Sequence, residues 1–189
     1  GEKLPIYDPL SRSIKDMLLA PKFSADRFHQ RFVPVEERIG LEAEALAKRR
    51  MENLSERGVL DSGFVPEYLK EVREAEFAEV TDNLRQLADD EREYLETVRS
   101  TGTRAATSLF NTQLKNKTAQ NIAKLQREFQ AELAGQQLAF ATEQRNLDRA
   151  LEREKLSILS RSGPRASGFD LANSFIGGAA PFITAAIKK

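Results

Sequence analysis

Cysteine is absent from the 189 residues, and histidine occurs once, as His29. Without cysteine there is no disulfide, no thiolate metal site and no cysteine nucleophile. One imidazole without thiols does not assemble a usual zinc site, and no second histidine is present to share acid–base work. His29 sits in Arg27-Phe28-His29-Gln30-Arg31-Phe32, an alternation of basic and aromatic residues, and is read as structural. Also missing are a phosphate-cradling glycine loop and a nucleophile elbow, while the many glutamates at helical spacing occupy ordinary ion-pair positions. These absences predict a protein that is not an enzyme and takes no cofactor or metal.

Aromatic residues are few, 7%, against 31% charged residues. With so little apolar side chain per residue, an elongated molecule is expected rather than a sphere. Lys+Arg and Asp+Glu balance at 29 each, so the chain lacks the general positive field of a non-specific nucleic-acid binder, and no sequence-specific nucleic acid is expected as a partner. Residues 1–9 show no apolar run after a basic segment, so secretion by the general route is not expected.

What is present is helical periodicity. Pro5 and Pro9 mark an extended N-terminal arm, followed by a short helix that Ser11 or Ser13 can cap and Pro21 ends, with Ile14, Met17 and Leu18 as its apolar edge. A second short helix is expected after Ser24, anchored by Phe23, Phe28 and Phe32 and stopping before Pro34. Pro34 then suits the first turn of a new helix with Val35, Ile39, Ala43, Leu46 and Ala47 on one face and Gly58 as its stop. Lys48, Arg49 and Arg50 lie among Glu42, Glu44, Glu52 and Glu56 and read as a solvated face.

After the turn at Asp61-Ser62-Gly63, a long acidic helix carries Val65, Leu69, Val72, Val80, Leu84, Leu87, Tyr94 and Val98 at threes, fours or their sums. Gly102, flanked by Ser100, Thr101 and Thr103, is expected to kink or reverse the chain. From Arg104 to about Ser160 runs a basic helix of roughly 80 Å, whose stripe includes Leu109, Leu114, Ile122, Leu125, Phe129, Leu133, Phe140, Leu147, Leu151 and Ile158. A helix of that length needs a partner helix. The opposite charge bias of the two long helices suggests that they pair, either as a hairpin or between subunits. Gln113, Asn116, Thr118, Gln120, Asn121, Gln126, Gln130, Gln136 and Gln137 line the basic helix, as the wall of a hydrated lumen or as a simple exposed face.

The segments are therefore 1–33, an arm with short helices; 34–60, a helix; 61–101, a long acidic helix; 102–161, a long basic Gln/Ala-rich helix; and 162–189, a Gly/Pro/Ser linker with an apolar tail. The fold class is all-α and elongated, a helical hairpin or coiled-coil bundle. Leu69, Val72, Leu84, Leu87, Leu125, Phe129, Leu133, Phe140, Leu147 and Leu151 are the candidate helix–helix interface. Phe169, Leu171, Phe175, Ile176, Phe182, Ile183 and Ile187, followed by Lys188 and Lys189, form a tail suited to a hydrophobic groove on a partner or to a membrane surface.

The succession of an acidic helix, the small-residue stretch 99–106, the helix containing Thr118-Ala119-Gln120-Asn121 and Ala134-Gly135-Gln136-Gln137, and the Gly/Ala-rich stretch 174–187 resembles the internal virion and DNA-ejection (pilot) proteins of tailed bacteriophages. The resemblance covers residue 66 onward. It implies many copies about the portal or tail axis, other virion proteins as partners, location in the virion, and passage into the host envelope on infection, where the tail would meet membrane. It brings no catalytic residue. A cellular coiled-coil scaffold or adaptor is the alternative reading of the same helices.

A contiguous apolar tail attached through a Gly-Pro linker needs a cover of its own, independent of the helical stripes. Deletion of residues 169–189 is expected to leave the helical circular-dichroism signal intact and to abolish binding to anionic vesicles or incorporation into the particle. Retention of both by the truncated chain removes the tail from any docking role.

Overall fold

In the computed structural model, residues 9–58 and 64–161 are described; the candidate tail residues Phe169, Leu171, Phe175, Ile176, Phe182, Ile183 and Ile187 lie outside them. All regular structure among the described residues is helical: α1, Arg12–Met17; α2, Ala25–Glu56; α3, Phe64–Leu114; and α4, Ala119–Arg161. The chain divides into two compact units. Unit 1 comprises Gly1–Ser24 and Asp89–Asp148, and unit 2 comprises Ala25–Ala88 and Arg149–Lys189.

Unit 1 is organised by an antiparallel pairing of α3 with α4. Steps forward along α3 are matched, to within one residue, by steps back along α4: Arg92 with Asp148, Arg99 over Phe140, Thr103 with Gln136, and Phe110 stacked on Phe129. The reversal between them is made by Lys115, Asn116, Lys117 and Thr118, where the Lys117 N–H bonds the Leu114 carbonyl at 3.1 Å and the Thr118 carbonyl accepts the Ile122 N–H at 2.9 Å. The turn expected at Gly102 is therefore corrected to residues 115–118, and α3 passes through 99–106 unbroken. The Thr107 hydroxyl bonds back one turn to the Thr103 carbonyl at 2.8 Å, so it is satisfied within the helix rather than by a turn.

Gly102 has a different use. A Cβ there would drive into the carbonyl oxygen of Met17, at the end of α1. The absence of a side chain thus lets α1 lie directly on α3, offsetting the roughly 0.5–1 kcal/mol by which glycine weakens a helix relative to alanine. Ser11 caps α1, its hydroxyl accepting from the Ile14 N–H at 3.4 Å. Leu10, Ile14 and Leu18 then bury against Ala106, Phe110, Leu125 and Phe129, with Leu109, Leu114 and Leu133 packed at the margin.

Unit 2 is built by α2 with the first part of α3 and the last part of α4. Gly40 lies beside Glu76 and Arg50 over Tyr68, so α2 runs antiparallel to α3; His29 pairs with Glu154 and Glu36 with Arg161, so α2 runs parallel to α4. The break expected at Pro34 does not occur, and the two helices drawn on either side of it form one, α2. Pro34 is exposed, as is Gln30, whose carbonyl loses its helical partner and faces water. The buried stripe Phe28, Phe32, Ile39, Ala47 and Met51 keeps one phase across the proline, and its packing outweighs the lost bond. The helix stops at Gly58, which adopts φ +69° and whose N–H bonds the Ser55 carbonyl at 3.0 Å.

Gly102→Ala is expected to destabilise unit 1 by about 1–3 kcal/mol, although alanine is the better helix former. Chemical denaturation monitored by circular dichroism measures it; a stabilised variant would mean that α1 does not rest on the Gly102 backbone.

Candidate helix–helix interface

The interface residues fall in the two units separately. In unit 1, Leu125 and Phe129 are buried, Leu133 packs beside them, Phe140 is half-buried and Leu147 is fully buried. In unit 2, Leu69, Val72, Leu84 and Leu151 are buried and Leu87 is half-buried. On α4 the inward positions Leu125, Phe129, Leu133, Gln136, Phe140, Glu143, Leu147, Ala150 and Glu154 advance by threes and fours, alternating from Phe129 onward, the heptad spacing that holds one stripe toward a neighbouring helix. The Phe110 and Phe129 rings lie 4.3 Å apart and 3° from parallel, worth about 0.5–1.5 kcal/mol beyond their burial.

The α3 stripe differs from the expected one in its second half. Tyr94 and Val98 are exposed, and Ala88, Glu91 and Leu95 are buried in their place. From Leu84 the helical phase leads to 88, 91 and 95, then to Gly102, Ala106 and Phe110. A reading of apolar residues alone skips Glu91 and Gly102, since neither announces itself as an inward position.

Charge complementarity between the long helices is also weaker than the sequence suggests. Moving the reversal to 115–118 takes Arg104, Lys115 and Lys117 away from α4, which keeps seven Lys or Arg against six Asp or Glu. The ion pair between α3 and α4 at Arg92 and Asp148, 2.8 Å, has its cation on the acidic helix. Packing of apolar stripes, with local ion pairs beside it, therefore pairs these helices. Arg99 grips Glu96 through two bonds of 2.6 and 3.1 Å, which holds the Glu96 carboxyl below the usual range, and its guanidinium lies 4.7 Å from the Phe140 ring centroid.

Polar positions on α4 receive the N-terminal part of the chain. In unit 1, Glu128 accepts the Leu10 N–H at 3.3 Å and pairs with Lys15 at 3.6 Å, and Glu143 accepts the Phe23 N–H at 2.9 Å. In unit 2, Nδ1 of His29 lies 2.6 Å from Glu154, and Arg161 lies 3.1 Å from Glu36. His29 is half exposed, and its one described side-chain partner is Glu154. Sequence reading did not single out these glutamates, because nothing local distinguishes them from surface glutamates.

Of the polar residues on the reputed lumen face, Gln113, Asn116, Thr118, Gln120, Gln126, Gln130 and Gln137 are exposed and Asn121 is half-buried. Gln136 alone among them is buried: its Oε1 accepts the Thr103 hydroxyl at 2.9 Å, and its Nε2 has no acceptor. Within one chain the set is a solvated face with one inward member. On the outside of α4, residues 133–142 contain no charged side chain, and Leu138 is 73% exposed. Leu41 and Leu46 on α2 and Leu156 on α4 are exposed as well.

Among the described residues no group of histidines and carboxylates is placed to hold a metal, and no helix is long and apolar enough to cross a membrane. Comparison with known proteins finds no matching family model, no matching curated protein and no matching solved structure.

In unit 2 the Glu76 carboxyl is pushed above its usual range, chiefly by burial and then by Glu44, with Glu36 adding and Arg73 opposing. A carboxyl raised in the folded state destabilises that state when ionised, and the penalty disappears as pH falls through the raised value. Glu76→Gln is thus expected to raise the melting temperature at neutral pH, by less than about 1 kcal/mol of stability because the group is half solvated. The advantage should shrink as pH falls through the raised value toward the ordinary glutamate range, below which the carboxyl is protonated in both states. Thermal melts across this range check it, and an advantage that grows on acidification would refute the assignment.

Proposed function

We propose that the chain is a non-enzymatic assembly protein, a structural component of a phage virion, internal and portal- or tail-associated, that oligomerises through its long helices and assists DNA ejection into the host. The observation that carries the assembly part is the uncharged outer face of α4 at 133–142, with Leu138 bare in a chain that is 31% charged. Apolar side chains presented along a helix without interrupting charge favour another helix as cover. The virion and ejection part rests on the resemblance in the order of segments and on the apolar tail with its terminal lysines. The tail supplies contact with a neighbouring virion protein, or with the host membrane after release.

A cellular coiled-coil scaffold or adaptor uses the same helices, and copy number separates the two. A ring of fixed copy number in a particle belongs to the virion reading, and a soluble dimer that recruits other proteins belongs to the adaptor.

Native mass determination of the full chain is expected to give an oligomer, and Leu138→Lys to shift it to single copies without loss of helical signal or melting temperature, because the side chain takes no part in the chain's own core. Single copies for the unaltered protein at every concentration would sink the assembly reading.

A further inference from the structure

Helix α1 is a separable piece of unit 1. It has six residues, too few to hold a helical turn in water by themselves, so its structure depends on the surface it occupies. That surface is shaped for it: the bare backbone of Gly102 admits the Met17 carbonyl, and Ala106, Phe110, Leu125 and Phe129 receive Leu10, Ile14 and Leu18. Lys15 adds a tether to Glu128 at 3.6 Å and to Glu132 at 3.9 Å. Between α1 and α2 the residues 19–24 are non-helical, contain Pro21, and leave Leu19 70% exposed. Pro21 prevents the connector from continuing either helix. The first stretch of unit 1 ends at Ser24, so α1 joins the rest of its unit in sequence only by way of the other unit's residues, Ala25–Ala88.

We propose that α1 is exchanged between copies of this chain, residues 10–18 of one copy filling the Gly102 groove of the next. The contacts are those already made within the chain, so exchange requires no new complementary surface; its cost is confined to the connector and to the loss of the high local concentration that favours the internal arrangement. Close apposition of many copies offsets that loss, and in this respect the inference rests on the assembly reading above. Exchange of a segment into a neighbour passes from copy to copy and closes when the ring or pair is complete. It links the copies by interlocking, beyond what the outer face of α4 supplies.

The chain has no cysteine, which makes a crosslinking test clean. Gln113 and Ser11 meet at the groove, with Nε2 and Oγ 3.4 Å apart, and neither belongs to the apolar core. Full-length chains carrying Ser11→Cys alone and Gln113→Cys alone are co-assembled and treated with a short bis-maleimide reagent, beside a chain that carries both substitutions; native mass of the same samples reports assembly. Exchange predicts covalent pairs in the mixture, absent from either single variant alone, and covalent ladders from the double variant. An assembled sample whose double variant yields only internally linked single chains, with no pairs in the mixture, overturns exchange and leaves assembly standing. Single copies by native mass together with internal links overturn both.

Discussion

In unit 1 the antiparallel register of α3 on α4 decides the placement of nearly everything else. Three pairings in one register, Arg99 over Phe140, Thr103 with Gln136 and Phe110 on Phe129, leave no freedom to slide, because a shift of one residue turns every side chain by about 100° away from its partner. Once that register is set, Gln136 points inward at Thr103 and Leu138, two residues on, is driven to the outside. The same register brings Ala106 and Phe110 beside Leu125 and Phe129, and so makes the floor on which α1 rests.

Gln136 shows what the register costs. A buried amide with its Nε2 lacking an acceptor is less favourable than an aliphatic side chain of similar volume. Such a group among the apolar neighbours Leu133 and Phe140 penalises alternative pairings, in which its bond with Thr103 would also be lost. The carboxylates of α4 act similarly on the N-terminal part of the chain. Glu128 and Glu143 bind backbone N–H groups in unit 1, and these charge-assisted bonds fix where the non-helical residues lie without requiring a large apolar contact. In unit 2, His29 with Glu154 and Glu36 with Arg161 are each seven residues apart on both helices, so a parallel pairing of α2 and α4 is marked at two points one heptad apart.

The inward stripes are consumed by the chain's own helices, including most of the residues whose spacing makes them candidates for an interface between copies. Among the residues that the inward packing leaves bare are Leu138 and the uncharged turns around it, Leu41 and Leu46 on α2, and Leu156 on α4. The proposed role in an assembly therefore rests on the outward residues, while Leu125, Phe129 and Leu147 support it by holding the helices that display them.

The sequence by itself determined that the molecule is all-α, that Ser11 or Ser13 caps a short first helix, that Gly58 ends the helix before the long acidic one, and that Leu69, Val72, Leu84, Leu125, Phe129, Leu147 and Leu151 are apolar positions at helical spacing. Those features are local, since caps, stops and periodicity act within a turn or two of the chain. Tertiary structure decided the rest. Whether Pro34 breaks a helix depends on whether its face meets water, whether Gly102 is a turn or a seat depends on the arrival of Met17 from far away in sequence, and the phase that buries Glu91 rather than Tyr94 depends on the register with α4. The local preferences run from about 1 kcal/mol for the glycine to about 3 kcal/mol for the proline, and burial of an apolar stripe many residues long outweighs them.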